Sequence, residues 1–157
     1  MSTELRYGII GCGMMGQEHM RNIALLDGAR VVAIFDPDPG MRAAAQALVP
    51  DARVAETLGD LLAIAEVNAL LIASPNHIHV AQVEEIARTR PLPLMVEKPL
   101  FTAPDQADRI DACVAGYPAP IWVAMEYRYM PPIAAFLAQA EAATGGIRML
   151  TIREHRF

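Results

Sequence analysis

Short apolar runs alternate along the chain with longer stretches that read as helix. Arg6 to Ile10 is a strand-like run, and Met14 to Asp27 reads as a helix closed by Gly28. Arg30 to Phe35 is a β-branched run that stops at Asp36, and Pro37 and Pro39 lead into an Ala-rich helix from Gly40 to Leu48. A short strand near Arg53 to Ala55 precedes a helix from Leu58 to Ala65. Ala69 to Ala73 is apolar at every position, as a strand buried on both faces must be. Ser74-Pro75-Asn76 breaks that run, and a helix follows from His77 to Thr89. Pro91 and Pro93 reset the chain for a strand from Leu94 to Glu97, after which come a helix from Asp105 to Val114 and a strand from Ile121 to Met125.

Strands separated by helices of about 10–15 residues mark βαβ units and a parallel sheet. The pattern therefore predicts a doubly wound parallel α/β domain over residues 1–125. Sheets of this kind bind ligands at the carboxyl ends of their strands, where the unusual polar residues of this chain fall. Residues 126–157 differ. Pro131-Pro132 opens a helix from Ile133 to Ala143, Gly145-Gly146 ends it, and Ile147 to Phe157 reads as a strand without a partner. An unpaired strand is a liability, so this segment is expected to be the first helix and strand of a second, truncated α/β domain.

The bulk numbers narrow the function classes. The 157 residues suffice for one domain with a real core, and 54% hydrophobic with 20% charged residues describes a folded chain. A net charge of −5 with scattered basic residues offers no footprint for nucleic acid or an anionic membrane. The strongly apolar run Ala69 to Ala73 is far too short to span a bilayer. The start of the chain, with Glu4 and Arg6, holds no signal-peptide core. Cys12 and Cys113 have neither metal spacing nor a disulfide framework and read as free thiols of a reducing cytoplasm.

The candidate chemistry begins at Gly11-Cys12-Gly13-Met14-Met15-Gly16, a G-x-G-x-x-G turn between strand and helix. In a dinucleotide-binding turn Gly11 would allow the sharp bend, Gly13 the close approach of a pyrophosphate, and Gly16 close packing of helix on strand. The phosphates would sit on backbone N–H groups at the helix N-terminus, with Met14 and Met15 lending N–H groups and apolar bulk. Asp36 ends the second strand 20 residues after Gly16, where a carboxylate can accept both adenine-ribose hydroxyls and repel a 2′-phosphate. This favours NAD over NADP. Asp38 suits a helix cap.

Ser74-Pro75-Asn76 could line the nicotinamide-ribose side, although Ser, Pro and Asn are also ordinary turn residues. His77 and His79 point in different directions on a helix and make a poor metal pair; no metal site is expected. His79 is read as polar lining of the cleft, and His19 as packing or surface. Glu97-Lys98-Pro99 follows a buried strand. Burial there would lower the lysine pKa and Glu97 would raise it. A lysine so placed could bond a substrate hydroxyl and help move its proton during hydride transfer. Arg128 reads equally as a cofactor-site residue or as an interdomain ion-pair arginine.

Taken in order, the Gly turn, Ser74-Pro75-Asn76 with His79, Glu97-Lys98-Pro99, and Tyr127-Arg128-Tyr129 before Pro131 resemble the N-terminal part of a Gfo/Idh/MocA-type oxidoreductase. The Gly145-Gly146-Ile147 step is similar to that family's entry into its second domain. The resemblance covers essentially the whole chain. It implies an NAD(P)-binding Rossmann domain and a larger α/β domain that holds substrate, usually supplies the catalytic histidine, and commonly mediates homo-oligomerisation. By the same resemblance Lys98 matches the catalytic lysine and Asp36 the ribose-binding acid, while His155 lies too early to be the histidine. The expected reaction moves hydride between nicotinamide and a hydroxyl-bearing carbon of a sugar, cyclitol or related polyol. NAD(H) binding without turnover, and NAD-assisted hydrolysis or elimination on the same fold, are the competing expectations.

Overall fold

The structure, a computed structural model, describes residues 4–146 together with Met149 and Thr151. The strand expected over residues 147–157, and His155 within it, lie outside the described residues. The chain divides into two units, the first ending at Ala124 and the second beginning at Met125.

In the first unit the strands are β1 (Leu5–Ile10), β2 (Ala29–Phe35), β3 (Arg53–Ala55), β4 (Ala69–Ile72), β5 (Leu94–Val96) and β6 (Ile121–Val123). The helices between them are α1 (Met14–Ile23), α2 (Pro39–Leu48), α3 (Leu58–Ala63), α4 (His79–Thr89) and α5 (Asp105–Ala115). The six strands form one sheet in the order β3-β2-β1-β4-β5-β6, and every pairing is parallel. The order reverses between β1 and β4, which creates the crevice at which such sheets take ligands.

Alternation along each strand splits the core into two layers. Ile10, Leu70 and Ile72 join residues of α3, α4 and α5 such as Leu61, Val83, Ile86 and Ile110. Ile9, Ile34 and Leu71 join Met20, Ile23 and Ala45 of α1 and α2. This is why β4 is apolar and buried at all four positions.

Local signals place the helices. Asp38 caps α2 by accepting from the Gly40 and Met41 N–H groups at 2.7 and 3.0 Å. Thr57 and Asp60 form a capping box at α3. Arg90 gathers the carbonyls of Leu62, Ile64, Ala65 and Val67 and so closes the loop from α3 into β4. Three expected helices are shorter than the pattern suggested, α3 by its last two residues. α1 stops at Ile23 because the next N–H groups bond three residues back, Leu25 to Asn22 and Leu26 to Ile23, and Gly28 at φ +78° turns the chain into β2. The helix expected from His77 begins as a 3-10 turn over Asn76–Ile78.

The second unit holds a 3-10 turn over Glu126–Tyr129 and α6 (Pro131–Thr144), ended by Gly145 and Gly146 at φ +68° and +105°. Pro131 and Pro132 fit the first turn of a helix, where no N–H is needed. Among the described residues no helix is long and apolar enough to cross a membrane.

Two weakly acidic groups mark the first unit. The thiol of Cys12, fully buried, is pushed up to about 12 by burial and by the Asp36 carboxylate, with Arg42 opposing. Burial likewise pushes the Tyr117 hydroxyl up to about 12; it donates to the Leu92 carbonyl at 2.6 Å. The unfolded groups ionise from 9.0 and 10.0. Between those values and about 12 the unfolded chain therefore binds fewer protons than the folded one, and stability falls as pH rises. Thermal melts should show this loss setting in above pH 9, with the Cys12→Ala variant losing less over the same interval.

The glycine turn makes a second test of the fold. A Cβ on Gly16 would lie 2.0 Å from the Gly11 carbonyl oxygen, whereas one on Gly13 would meet nothing within 4 Å. Gly16→Ala should cost about 3 kcal/mol in urea unfolding. Gly13→Ala should cost about 1 kcal/mol or less. Equal costs would contradict this packing.

Candidate functional site

Parallel pairing brings the ends of β1, β2, β4 and β5 to one edge of the sheet. Gly11 leaves β1 at φ +96°, and a Cβ there would lie 2.5 Å from the Ser74 nitrogen at the end of β4. No side chain caps the first turn of α1, unlike α2 and α3, and its N-cap is Gly13. The unpaired N–H groups and the positive end of the helix dipole are thus open to an anion.

Asp36 stands beside this turn. One carboxylate oxygen accepts the Cys12 N–H at 2.8 Å and the other accepts the Asp38 N–H at 2.9 Å. Each oxygen has two acceptor sites, so the carboxylate is oriented by backbone and keeps capacity for two hydroxyl donors. Arg42 donates to the Asp36 and Pro37 carbonyls at 2.7 and 3.2 Å and holds the same turn from behind.

A cavity of about 460 Å³ runs between these strand ends. It brings together Gly11, Gly13, Met14, Met15, Asp36, Ser74 and Pro75 from the sequence reading. Its volume lies in the range of small-molecule and cofactor sites. Phe35, Pro37, Met41, Ala73, Ile78 and Gln82 complete the wall and carried no signal of their own in the motifs. Ile78 and Gln82, four apart within the helix expected from His77, were the available clue, since such positions share a helix face.

Other expected residues fall elsewhere. Gly16 lies beneath the turn as packing. Asn76 is exposed in the 3-10 turn and does not line the cavity. His79 is not cleft lining: it is fully buried, with its ring nitrogens 2.9 Å from the Pro99 and Ser74 carbonyl oxygens. It ties the ends of β4 and β5 together. Lys98 is exposed rather than buried, at the end of β5, and its bond to Pro99 is cis. Glu97 is 7% exposed and meets His19 of α1 at 2.7 Å, while its other oxygen accepts the Lys98 backbone N–H at 3.2 Å. Reading His19 as packing or surface missed this pairing, because 78 residues separate the partners. Arg128 lies exposed in the 3-10 turn of the second unit. Among the described residues no group of three or more His, Cys, Asp or Glu side chains could hold a metal.

Comparisons with known proteins agree with this geometry. The family model described as "Oxidoreductase family, NAD-binding Rossmann fold" matches residues 5–125. The chain is 42% identical over 109 residues to inositol 2-dehydrogenase of Burkholderia multivorans, covering 68% of this chain and 32% of that protein. It is 30% identical over 131 residues to the rhizopine catabolism protein MocA of Rhizobium meliloti, covering 83% and 40%. Among solved structures it superposes on myo-inositol dehydrogenase from Lactobacillus casei, in complex with NAD(H) and myo-inositol, with a TM-score of 0.82, 29% identity, and coverage of 90% and 42%. An Agrobacterium radiobacter oxidoreductase in complex with NAD+, L-tartaric acid and magnesium gives a TM-score of 0.84, 26% identity, and coverage of 92% and 42%. The chain spans 32–40% of the length of these two curated relatives. The family match over residues 5–125, on a parallel sheet with the glycine turn and acid at its carboxyl edge, makes this chain a member of the Gfo/Idh/MocA oxidoreductase family, with its NAD-binding Rossmann fold.

Proposed function

We propose that this chain is the NAD-binding part of an oxidoreductase that moves hydride between nicotinamide and a hydroxyl-bearing carbon of a sugar, cyclitol or related polyol. The observation that carries the reading is the Asp36 carboxylate, fixed by two backbone N–H groups beside an uncapped helix start. The residues fit the cofactor. A pyrophosphate needs a helix N-terminus without side-chain cover, and the space over Gly13 is open. Two ribose hydroxyls need an acceptor-only group, and Asp36 is one.

NAD, when bound, supplies the hydride acceptor. In this reading the chain's residues bind and orient it. The first turn of α1 holds the phosphates, and Asp36 accepts the adenine-ribose hydroxyls and repels a 2′-phosphate. Lys98, at the end of β5, bonds the substrate oxygen. Oxidation removes a hydride from the substrate carbon and a proton from its hydroxyl, and a general base takes that proton. Ser74 and Pro75 are proposed to shape the cofactor site. The relatives named inositol 2-dehydrogenase, and the solved complex holding myo-inositol, support a cyclitol or polyol as substrate. A second reading, NAD(H) binding without turnover by these 157 residues, has one observation in its favour: the chain spans about a third of the length of its first relative.

Calorimetric titration tests the cofactor assignment. Asp36→Ala should weaken NAD binding about 10- to 100-fold, the loss of charged hydrogen bonds to two hydroxyls, and should narrow the preference over NADP. Unchanged affinity for both dinucleotides would reject it. A polyol panel assayed with NAD tests Lys98. Lys98→Ala should lower kcat about 10²- to 10⁴-fold while the NADH Kd stays within about twofold. Undiminished turnover would remove the lysine from the mechanism.

A further inference from the structure

Among the described residues the buried polar or charged side chains are His79, Gln82 and Glu97. His79 and Glu97 are accounted for by their bonds to backbone and to His19. Gln82 is different. It is 9% exposed, on the second turn of α4, and it lines the 460 Å³ cavity. The Ser74 hydroxyl donates to its Oε1 at 2.5 Å. That bond fixes the carboxamide with its oxygen toward Ser74 and its NH2 group directed away. Among the described residues the Gln82 NH2 has no protein partner. Yet no described side-chain nitrogen or oxygen is both sealed from solvent and unpaired. Gln82 lines the cavity, so the NH2 group turned from Ser74 has that cavity within reach. A nearly buried donor held this way asks for an acceptor, because leaving it unmade costs about 1–3 kcal/mol.

The position of that donor selects the acceptor. The cavity runs from Phe35 at the end of β2, with Asp36 and Pro37 after it, to Ser74, Pro75, Ile78 and Gln82 beyond β4. A ligand role for Gln82 rests on the dinucleotide reading of this site, in which Asp36 takes the adenine ribose and the start of α1 takes the phosphates. The remaining wall is apolar, from Pro37, Met41, Pro75 and Ile78, and suits a flat ring. Glu97 and Lys98, at the nicotinamide end, do not line it. An adenine ring offers unprotonated ring nitrogens, which are acceptors, and Gln82 offers the matching donor. We infer that Gln82 binds the adenine of the dinucleotide, donating from Nε2 to a purine ring nitrogen, with Ser74 orienting its carboxamide.

The test uses the 157-residue chain with ADP-ribose, which carries the adenosine half without nicotinamide, and with nicotinamide mononucleotide, which lacks adenosine. Calorimetry should show Gln82→Leu weakening ADP-ribose about five- to tenfold, with mononucleotide affinity unchanged. Gln82→Glu keeps an acceptor for Ser74 and removes the donor, so it should lose at least as much. In the ¹⁵N-labelled wild-type chain, nuclear Overhauser effects should connect the Gln82 side-chain NH2 to the adenine C2 or C8 proton of bound ADP-ribose. Should the leucine variant fail to fold, these effects alone decide. ADP-ribose affinity equal to wild type in both variants, or no contact to adenine in a wild-type chain that binds ADP-ribose, would overturn the inference about Gln82 and leave the dinucleotide reading standing. A wild-type chain that does not bind ADP-ribose would overturn both.

Discussion

The close approach of two backbone segments sets this site. Gly16 sits so near the Gly11 carbonyl that a Cβ would lie 2.0 Å from its oxygen, and a Cβ on Gly11 would lie 2.5 Å from the Ser74 nitrogen and 2.7 Å from the Ala73 oxygen. Only residues without side chains let β1, the start of α1 and the end of β4 converge at these distances. Convergence places the open first turn of α1 over the gap between β1 and β4. Without it the helix would stand off the sheet, and its dipole would point at solvent instead of at a crevice.

The same convergence explains how one short turn controls residues far away in sequence. Cys12, between the first two glycines, donates its N–H to Asp36 at 2.8 Å, and its buried thiol lies 3.6 Å from the Phe35 carbonyl. The turn and the end of β2 are therefore one hydrogen-bonded unit. Its thiol is a packing group, since burial and the Asp36 carboxylate both oppose the thiolate that reactivity requires. The acid is thereby positioned by the residue that the glycine motif leaves unspecified.

The fold was legible because its signals are local. β4 is apolar at each position since both faces of the sheet are covered, and the Ser, Pro and Asp residues that end strands or cap helices act within a few residues of themselves. Boundaries slipped where a local rule competes with another. α1 could have run on to Asp27, but exposed Leu25 and Leu26 gain nothing from helix and the chain must reach β2. The site was legible only in part. Glycines and Asp36 announce themselves by spacing. His79 looked like a cleft residue because a histidine after a strand-breaking turn is polar and well placed. Its burial against two carbonyls depends on the loop after β5, 20 residues away, and no spacing rule reports that. Gln82 was missed for the converse reason. A glutamine in a helix is ordinary, and what makes this one unusual is the partner it lacks.

Those long-range polar contacts also constrain Lys98. Buried polar groups persist in folded chains when they are paired. Here the pairs form a brace: His79 joins the end of β4 to Pro99, and Glu97 joins the end of β5 to His19 of α1. Glu97 also accepts the N–H of Lys98 itself. The backbone that carries Lys98 is therefore held by contacts reaching α1, the helix whose first turn borders the cavity. A displacement of that helix cannot leave Lys98 unmoved without unpairing Glu97, and a buried carboxylate without its partner costs several kcal/mol. In the proposed chemistry this makes cofactor placement and lysine placement a single variable. The backbone that presents the lysine is then held within the first unit, to the helix whose first turn takes the phosphates in that reading.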